Sequence, residues 1–130
     1  MNDQIRHYQN KLEYEWDSAD LFEFLETRTD IVIIDTRKEF AYEKEHIPGA
    51  ISFPHRTMDE HSTSKLDRSK TYVCYCDGIG CNGSTRGSLK MTQLGFNTRE
   101  LIGGIDWWKR DGYATEGLEA VEGTGIQCAC

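Results

Sequence analysis

Long hydrophobic runs are missing from this 130-residue chain. The uninterrupted apolar stretches, such as "IVII" at 31–34, are far too short to cross a membrane. The opening "MNDQIRHYQN" contains neither an apolar signal core nor a small-residue cleavage pattern. These absences predict a cytoplasmic protein.

Basic residues are in the minority, with 15 Lys and Arg against 22 Asp and Glu, and the net charge is −7. Binding to a nucleic-acid backbone or to an anionic membrane requires a basic patch. The charge balance therefore argues against nucleic acid and against a membrane as partners.

The five cysteines are odd in number and unevenly placed. Cys74, Cys76 and Cys81 lie close together, and Cys128 and Cys130 form the terminal "CAC". This is a poor framework for a disulfide-stapled secreted fold, so we expect reduced or redox-active thiols. The C-x-C pairs also lack the spacing of structural zinc sites, and we expect no metal and no cofactor.

Strand-like and helix-like segments alternate along the chain. The apolar runs "IVIID" at 31–35 and "TYVCYC" at 71–76 are typical of parallel strands covered on both faces. Helical spacing follows in "ADLFEFLETR", for which Ser18 is the predicted N-cap, and in "STRGSLKMTQLGF". This order predicts an α/β fold with about five mostly parallel strands and helices on both faces.

The segment boundaries predict three parts. Residues 1–11 form a helical extension, residues 12–113 form the α/β domain, and residues 114–130 form a tail that carries the C-x-C pair. Within the domain, the alternation in "LEYEW" at 12–16 predicts an edge strand.

The stretch "CDGIGCNGSTRGSL" that begins at Cys76 is the candidate site, because ligands of parallel sheets bind beyond the carboxyl ends of strands. Glycine-rich loop amides and the next helix N-terminus would hold the Cys76 sulfur as an anionic thiolate. We expect Ser84 and Thr85 to cap that helix. The predicted anion-binding loop comprises Asp77, Gly78, Ile79, Gly80, Asn82, Gly83, Ser84, Thr85 and Arg86.

Three sequence blocks resemble the rhodanese family, single-domain type, over roughly residues 12–113. They are "IIDTRKEFAYEKEHIPGAISFPH" at 33–55, "YVCYC" before the loop, and "LIGGIDWWKRDGY" at 101–113. The resemblance implies a rhodanese-like fold and a sulfurtransferase that carries sulfane sulfur as a cysteine persulfide. The implied partners are thiosulfate or a persulfide as donor, and cyanide or a thiol, including a protein thiol, as acceptor.

The loop is longer than the six residues usual in that family, so two frames compete for the sulfur carrier. Counting from the strand selects Cys76, whereas the pattern Cys-x4-Arg in "CNGSTR" selects Cys81 and ends at Arg86. The strand register favours Cys76, which leaves Cys81 as an alternative nucleophile or a resolving thiol. Arg86 would stabilise an anionic donor, whereas Asp77 would repel thiosulfate if it faced the sulfur.

Other residues are predicted to be structural. Asp35 ends a buried strand and would be satisfied by the backbone or by an arginine partner, and Arg37 is expected to be structural as well. His46, Pro48 and Gly49 belong to a turn that shapes the fold. Cys74 is expected to be a buried small hydrophobe, and His55 and His61 are expected on the surface.

Two other functions stay open at this point. A non-catalytic or redox-sensing module would use the same fold without turnover. A phosphatase or arsenate reductase would need a Cys-x5-Arg loop, and neither Cys76 nor Cys81 provides that spacing.

Overall fold

A computed structural model describes residues 2–124, in which strands and helices alternate. The elements are α1 (Asp3–Tyr14), β1 (Glu15–Trp16), α2 (Ser18–Thr27), β2 (Ile31–Asp35), α3 (Glu39–Lys44), β3 (Ile51–Ser52), a short 3-10 helix (His55–Thr57), β4 (Thr71–Tyr75), α4 (Gly83–Gln93), β5 (Asn97–Leu101) and α5 (Gly104–Arg110).

The five strands form one sheet in the order β1-β5-β4-β2-β3, and all the strand pairs are parallel. The predicted fold class is therefore confirmed. Strand β4 lies in the centre, paired with β2 on one side and β5 on the other. Because the strands run in one direction, the carboxyl ends of β2, β4 and β5 meet at one edge of the sheet.

Apolar side chains cover both faces of the sheet. Val73 of β4 packs in a cluster with Leu21 of α2 and Trp108 of α5. Its neighbour Cys74 points to the other face and packs in a cluster with Met91 of α4. Successive residues of a strand face opposite sides, so a run without polar residues requires a helix layer on each side.

The N-terminal part of the chain differs from the prediction. Helix α1 continues to Tyr14, so the edge strand predicted over 12–16 is wrong for residues 12–14, and β1 is only Glu15–Trp16. Only Trp16 of this segment is buried, and an ion pair of 3.0 Å from Lys11 Nζ to Glu15 Oε1 supports the last helical turn.

Helix α2 is capped one residue earlier than predicted. Asp17 is the N-cap, and its Oδ1 accepts a hydrogen bond of 2.8 Å from the Asp20 amide. The Asp20 carboxylate accepts one of 3.1 Å from the Asp17 amide. Ser18 is instead the buried first residue of the helix. The reciprocal pair gives Asp17 the advantage over Ser18, which has no such partner.

The chain after α5 folds back onto the domain. His46 and Glu116 exchange backbone hydrogen bonds of 2.8 and 2.9 Å, and buried Thr115 donates one of 2.6 Å to Glu45. The first part of the predicted tail is thus packed against the turn after α3. Cys128 and Cys130 lie outside the described residues. A helix with the length and apolar character of a membrane span is not found in residues 2–124.

Candidate active site

The end of β2 supplies a buried ion pair beneath the site. Asp35 is fully buried and accepts hydrogen bonds of 3.0 and 2.7 Å from Nε and Nη2 of Arg37. The Tyr75 hydroxyl donates a further bond of 2.7 Å to the same carboxylate. Burial, and secondarily the Asp35 charge, raises the pKa of Tyr75, so this phenol stays protonated. Asp35 and Arg37 thus form a buried ion pair, which is the arrangement that a structural role requires.

The turn after α3 closes over this ion pair. The His46 ring stacks on Tyr42 at 3.9 Å between ring centroids, and Gly49 has a φ of +82° that favours glycine. Pro48 lies between Gly49 and Ile47, which is fully buried in the core. His46, Pro48 and Gly49 are not among the residues that line the Cys76 cavity described below, and their role in shaping the fold stays a prediction.

Cys76 directly follows β4, and α5 holds the base of its loop. The amide of Ile105 donates a hydrogen bond of 3.1 Å to the Cys76 carbonyl oxygen, and the amide of Asp106 donates one of 2.9 Å to the Asp77 carbonyl oxygen. Gly104 permits this contact, because its φ is +58° and a Cβ atom there would overlap the Cys76 carbonyl. The pair Gly103 and Gly104 in the 101–113 segment therefore allows α5 to anchor the cysteine loop.

The two candidate nucleophiles are bonded to each other. A disulfide joins Cys76 and Cys81, whose Cα atoms are 6.3 Å apart. Cys76 is buried, with 5% of its surface exposed, whereas Cys81 is partly exposed. Cys76 is therefore in its oxidised form here and becomes a nucleophile only after reduction.

Around this disulfide the cradle of loop amides stays a prediction. The Cys81 amide donates to the Gly78 carbonyl at 3.2 Å and so is not directed at the Cys76 sulfur. The backbone does approach the sulfur at Gly83, where a Cβ would lie 3.0 Å from Cys76 Sγ. Ile79 is 84% exposed, so the middle of the loop turns toward solvent.

The predicted cap of α4 is also wrong. The helix begins at Gly83 with Asn82 as its N-cap. The hydroxyls of Ser84 and Thr85 donate hydrogen bonds of 2.9 and 2.6 Å to Oε1 of Glu100 on β5. A carboxylate from the neighbouring strand takes these donors, and such a partner is not visible in the local sequence.

A cavity of about 440 Å³ opens beside Cys76 at this edge of the sheet. Its lining combines both cysteines with basic, acidic and apolar side chains. The lining residues are Thr36, Arg37, Lys38, Phe40, Ala41, Pro54, His55, Arg56, Cys76, Asp77, Cys81, Asn82 and Gly83. Lys38 and Arg56 form no ion pair within the part of the chain that the structure describes. The cavity thus has two uncompensated cations.

The Asp77 carboxylate faces the two sulfurs, which is the orientation in which it would repel thiosulfate. One of its oxygens lies within 4.8 Å of both Cys76 Sγ and Cys81 Sγ. Arg37 Nη1 binds Asp77 Oδ1 at 3.1 Å and offsets the negative charge. The three side chains could supply sulfur and oxygen ligands to a metal when the cysteines are reduced, but they are one ligand short of a tetrahedral structural site.

Arg86 does not reach the Cys76 cavity. It lies in a neighbouring groove of about 560 Å³ together with Lys90, and its Nε donates a hydrogen bond of 3.2 Å to Asn82 Oδ1. Two residues beyond Ser84 on α4, the side chain points roughly 200° around the helix axis, away from the Glu100 side. Arg86 is therefore not among the residues that line the Cys76 cavity, and its role toward an anionic donor stays a prediction.

Sequence reasoning missed seven of the cavity residues, among them the cations Lys38 and Arg56 and the polar residues Thr36 and His55. Thr36 is buried and donates a hydrogen bond of 2.7 Å to the Tyr75 carbonyl oxygen. His55, expected on the surface, is partly buried, and its Nδ1 has no hydrogen-bond partner in residues 2–124. Burial and the nearby cations, led by Lys90, lower the pKa of His55. Their only sequence signal is that each lies shortly after a strand, at the edge where parallel strands end.

The third described cysteine takes no part in the site. Cys74 is fully buried on the face under α4, and burial raises the pKa of its thiol to about 12. It is a small hydrophobe, as the sequence predicts.

These features define an α/β domain with a thiol-bearing loop at the carboxyl edge of an all-parallel sheet. The model of the rhodanese-like domain family matches residues 18–111, and the chain belongs to that family.

Known proteins resemble the chain in sequence and in structure. Thiosulfate sulfurtransferase GlpE of Coxiella burnetii is 34% identical over 84 residues, which are 63% of this chain and 75% of that protein. The crystal structure of BH2092 from Bacillus halodurans has a TM-score of 0.86 and 41% identity, covering 92% of this chain and 88% of its own. The rhodanese-like domain of Alr3790 from Anabaena sp. has a TM-score of 0.72 and 28% identity, with coverage of 81% and 80%.

Proposed function

We propose that the protein is a sulfurtransferase in which Cys76 carries sulfane sulfur as a persulfide. The observation that carries this proposal is the position of Cys76, directly after the central strand and in a cavity with two unpaired cations. The similarity to a relative named thiosulfate sulfurtransferase supports it. Because Cys76 must be reduced to react, we also propose a cytoplasmic location.

The proposed first step is a nucleophilic displacement. The Cys76 thiolate attacks the outer sulfur of thiosulfate, a new sulfur–sulfur bond forms, and the original bond to the sulfonate sulfur breaks. Sulfite leaves with the electron pair of that bond, and Cys76 is left as a persulfide anion. No proton is transferred, and the total charge of −3 is the same on both sides of the equation.

The charge pattern of the cavity supports an anionic donor. The chain as a whole carries a net charge of −7 and would repel a dianion. Lys38 and Arg56 concentrate positive charge at the cavity. Arg37, whose main partner is Asp35, also contacts Asp77 and offsets part of its charge. Thiosulfate is a dianion, and the persulfide group of a low-molecular-weight donor is an anion when deprotonated, so both fit a cavity with positive charge.

The surface beside the cavity supports a thiol acceptor that belongs to a protein. Phe40 and Ile79 are 69% and 84% exposed, and both line a neighbouring cavity that also contains Cys81. Exposed apolar side chains around a reactive sulfur give a partner protein something to contact. Cyanide or a small thiol would need no such surface.

A single-turnover experiment tests the proposed function. The full chain is reduced, freed of reductant and mixed with thiosulfate, and sulfite is measured. We expect about one sulfite per chain, because one cysteine accepts one sulfur. The absence of sulfite, with iodoacetamide still labelling Cys76, would contradict the proposal and favour a non-catalytic module.

Removing the cavity cations should slow this reaction with thiosulfate. In the double variant Lys38→Gln and Arg56→Gln, the second-order rate constant for sulfite release should fall at least about fivefold, which corresponds to about 1 kcal/mol. The loss should shrink as salt rises, because both side chains are exposed. Lys65→Gln, which removes one exposed charge from the 58–70 segment, is the control. If the rate constant for sulfite release falls equally in that control, the effect comes from net charge alone.

A further inference from the structure

We propose that Cys81 is a second catalytic thiol, which attacks the persulfide on Cys76 and releases its outer sulfur as hydrosulfide. This inference rests on the proposed function and names the fate of the transferred sulfur. It adds an activity, the reduction of sulfane sulfur by a pair of thiols within one loop.

The placement of the two sulfurs carries the inference. Cys76 Sγ and Cys81 Sγ are bonded, with only four residues between the two cysteines. The loop therefore brings Cys81 to the inner sulfur of any persulfide that forms on Cys76. Cys74 cannot compete for this step, since it is fully buried on the face under α4.

The surroundings of Cys81 suit a resolving thiol. Cys81 is partly exposed and lines both the Cys76 cavity and the cavity beside Ile79, so solvent and small reductants reach it. Gly80 has a φ of +92° with open space around its Cα, which lets the loop turn just before Cys81. By contrast, Cys76 is 5% exposed, so an external thiol has less access to its inner sulfur than Cys81 has.

The step balances in atoms and electrons. The Cys81 thiolate attacks Sγ of Cys76, the Cys76–Cys81 disulfide forms, and the bond from Cys76 Sγ to the outer sulfur breaks. The outer sulfur leaves with that electron pair and takes up the proton that the Cys81 thiol released on ionising, so that it departs as hydrosulfide. It is reduced by two electrons, and the two cysteine thiols are oxidised to the disulfide. A dithiol reductant then restores both thiols, so that the full cycle converts thiosulfate and a dithiol into sulfite, hydrosulfide and a disulfide.

Attack on the outer sulfur would have a different result. It would move the persulfide to Cys81 and regenerate the Cys76 thiolate, with no sulfide and no disulfide. The direct bond between the two Sγ atoms favours attack on the inner sulfur. The departing sulfur then faces the cavity, where Lys38 and Arg56 stabilise an outgoing anion.

The test compares the full-length protein with Cys81→Ser after reduction and removal of the reductant. Thiosulfate is added, and sulfite, sulfide and intact mass are followed. The natural sequence should release about one sulfide per chain and become about 2 Da lighter, with the 76–81 disulfide visible by peptide mapping. The reaction of Cys81→Ser should stop at the persulfide, about 32 Da heavier, with sulfide lowered at least about 20-fold. The Cys128→Ser and Cys130→Ser double variant should behave as the natural sequence does.

The outcomes separate this inference from the proposed function. If the natural sequence releases sulfite but keeps the extra sulfur and forms no disulfide, the inference is overturned and the sulfurtransferase proposal stands. Equal sulfide release by Cys81→Ser, or loss of sulfide in the double tail variant, also overturns it. No sulfite from either protein would instead reject the proposed function. If Cys81→Ser does not fold, Cys81→Ala replaces it, and the mass measurement on the natural sequence decides alone.

Discussion

Replacing Cys76 by serine is expected to abolish sulfite release from thiosulfate, with a loss of at least about a thousandfold relative to the reduced protein. An alcohol at this position cannot form a persulfide, and its pKa is far too high for the cavity cations to ionise it. The side chain lies directly after β4 at the floor of the cavity, so no other described thiol can take its place without moving the loop. The measurement is the single-turnover yield of sulfite per chain.

The matched control for this prediction is Cys128→Ser, which removes a thiol outside the described residues. A circular dichroism spectrum of Cys76→Ser should match that of the reduced parent, because serine is close to cysteine in size. If Cys81→Ser is inactive in sulfite release while Cys76→Ser reacts normally, the Cys-x4-Arg frame is the correct one. In that case the strand register would have selected the wrong nucleophile.

Asp35→Ala is expected to destabilise the fold by about 3–5 kcal/mol, the usual cost of breaking a buried ion pair on one side. The Arg37 side chain is only 9% exposed and would keep a charge without its main partner. The Tyr75 hydroxyl would also lose its acceptor. Because domains of this size are stable by roughly 5–15 kcal/mol, much of the folding free energy would be lost. Urea unfolding followed by tryptophan fluorescence measures the effect.

Two other variants calibrate that loss. Tyr75→Phe keeps the ion pair and removes the hydroxyl that joins Asp35 to the Ile47 amide, so about 1–3 kcal/mol is expected. Glu119→Ala breaks an exposed ion pair with Lys44 and should change the unfolding free energy by less than about 0.5 kcal/mol. A loss in Asp35→Ala no larger than in Glu119→Ala would show that the buried pair does not support the fold.

The remaining functions differ from the sulfurtransferase in one measurable property. A redox-sensing module would also form the Cys76–Cys81 disulfide, but its reduced form would not take sulfur from thiosulfate. A phosphatase or arsenate reductase would require an arginine at the end of the loop, and Arg86 points into the neighbouring groove instead.

The all-parallel sheet follows from features that are local in the sequence. The run at 31–35 contains no polar residue before Asp35, and such a strand needs a layer on each face. The same reasoning puts Cys76 at the carboxyl edge, since a residue directly after a parallel strand has no other place to lie. Asp35 required a buried partner for its charge, which Arg37 supplies two residues later.

Only the tertiary structure decided which groups distant in the chain contact each other, and into which groove the side chains of α4 extend. Glu100 accepts the hydroxyls of Ser84 and Thr85 because β5 lies beside the start of α4, which begins at Gly83 and includes both residues. Arg86 lies in the groove that contains Lys90 and is not among the residues that line the Cys76 cavity. The sequence alone determined the layers and the position of Cys76, since periodicity and strand ends are one-dimensional properties. The disulfide between Cys76 and Cys81 depends on how the loop turns in three dimensions, and so does the position of the cavity cations around it. No spacing along the chain specifies that turn.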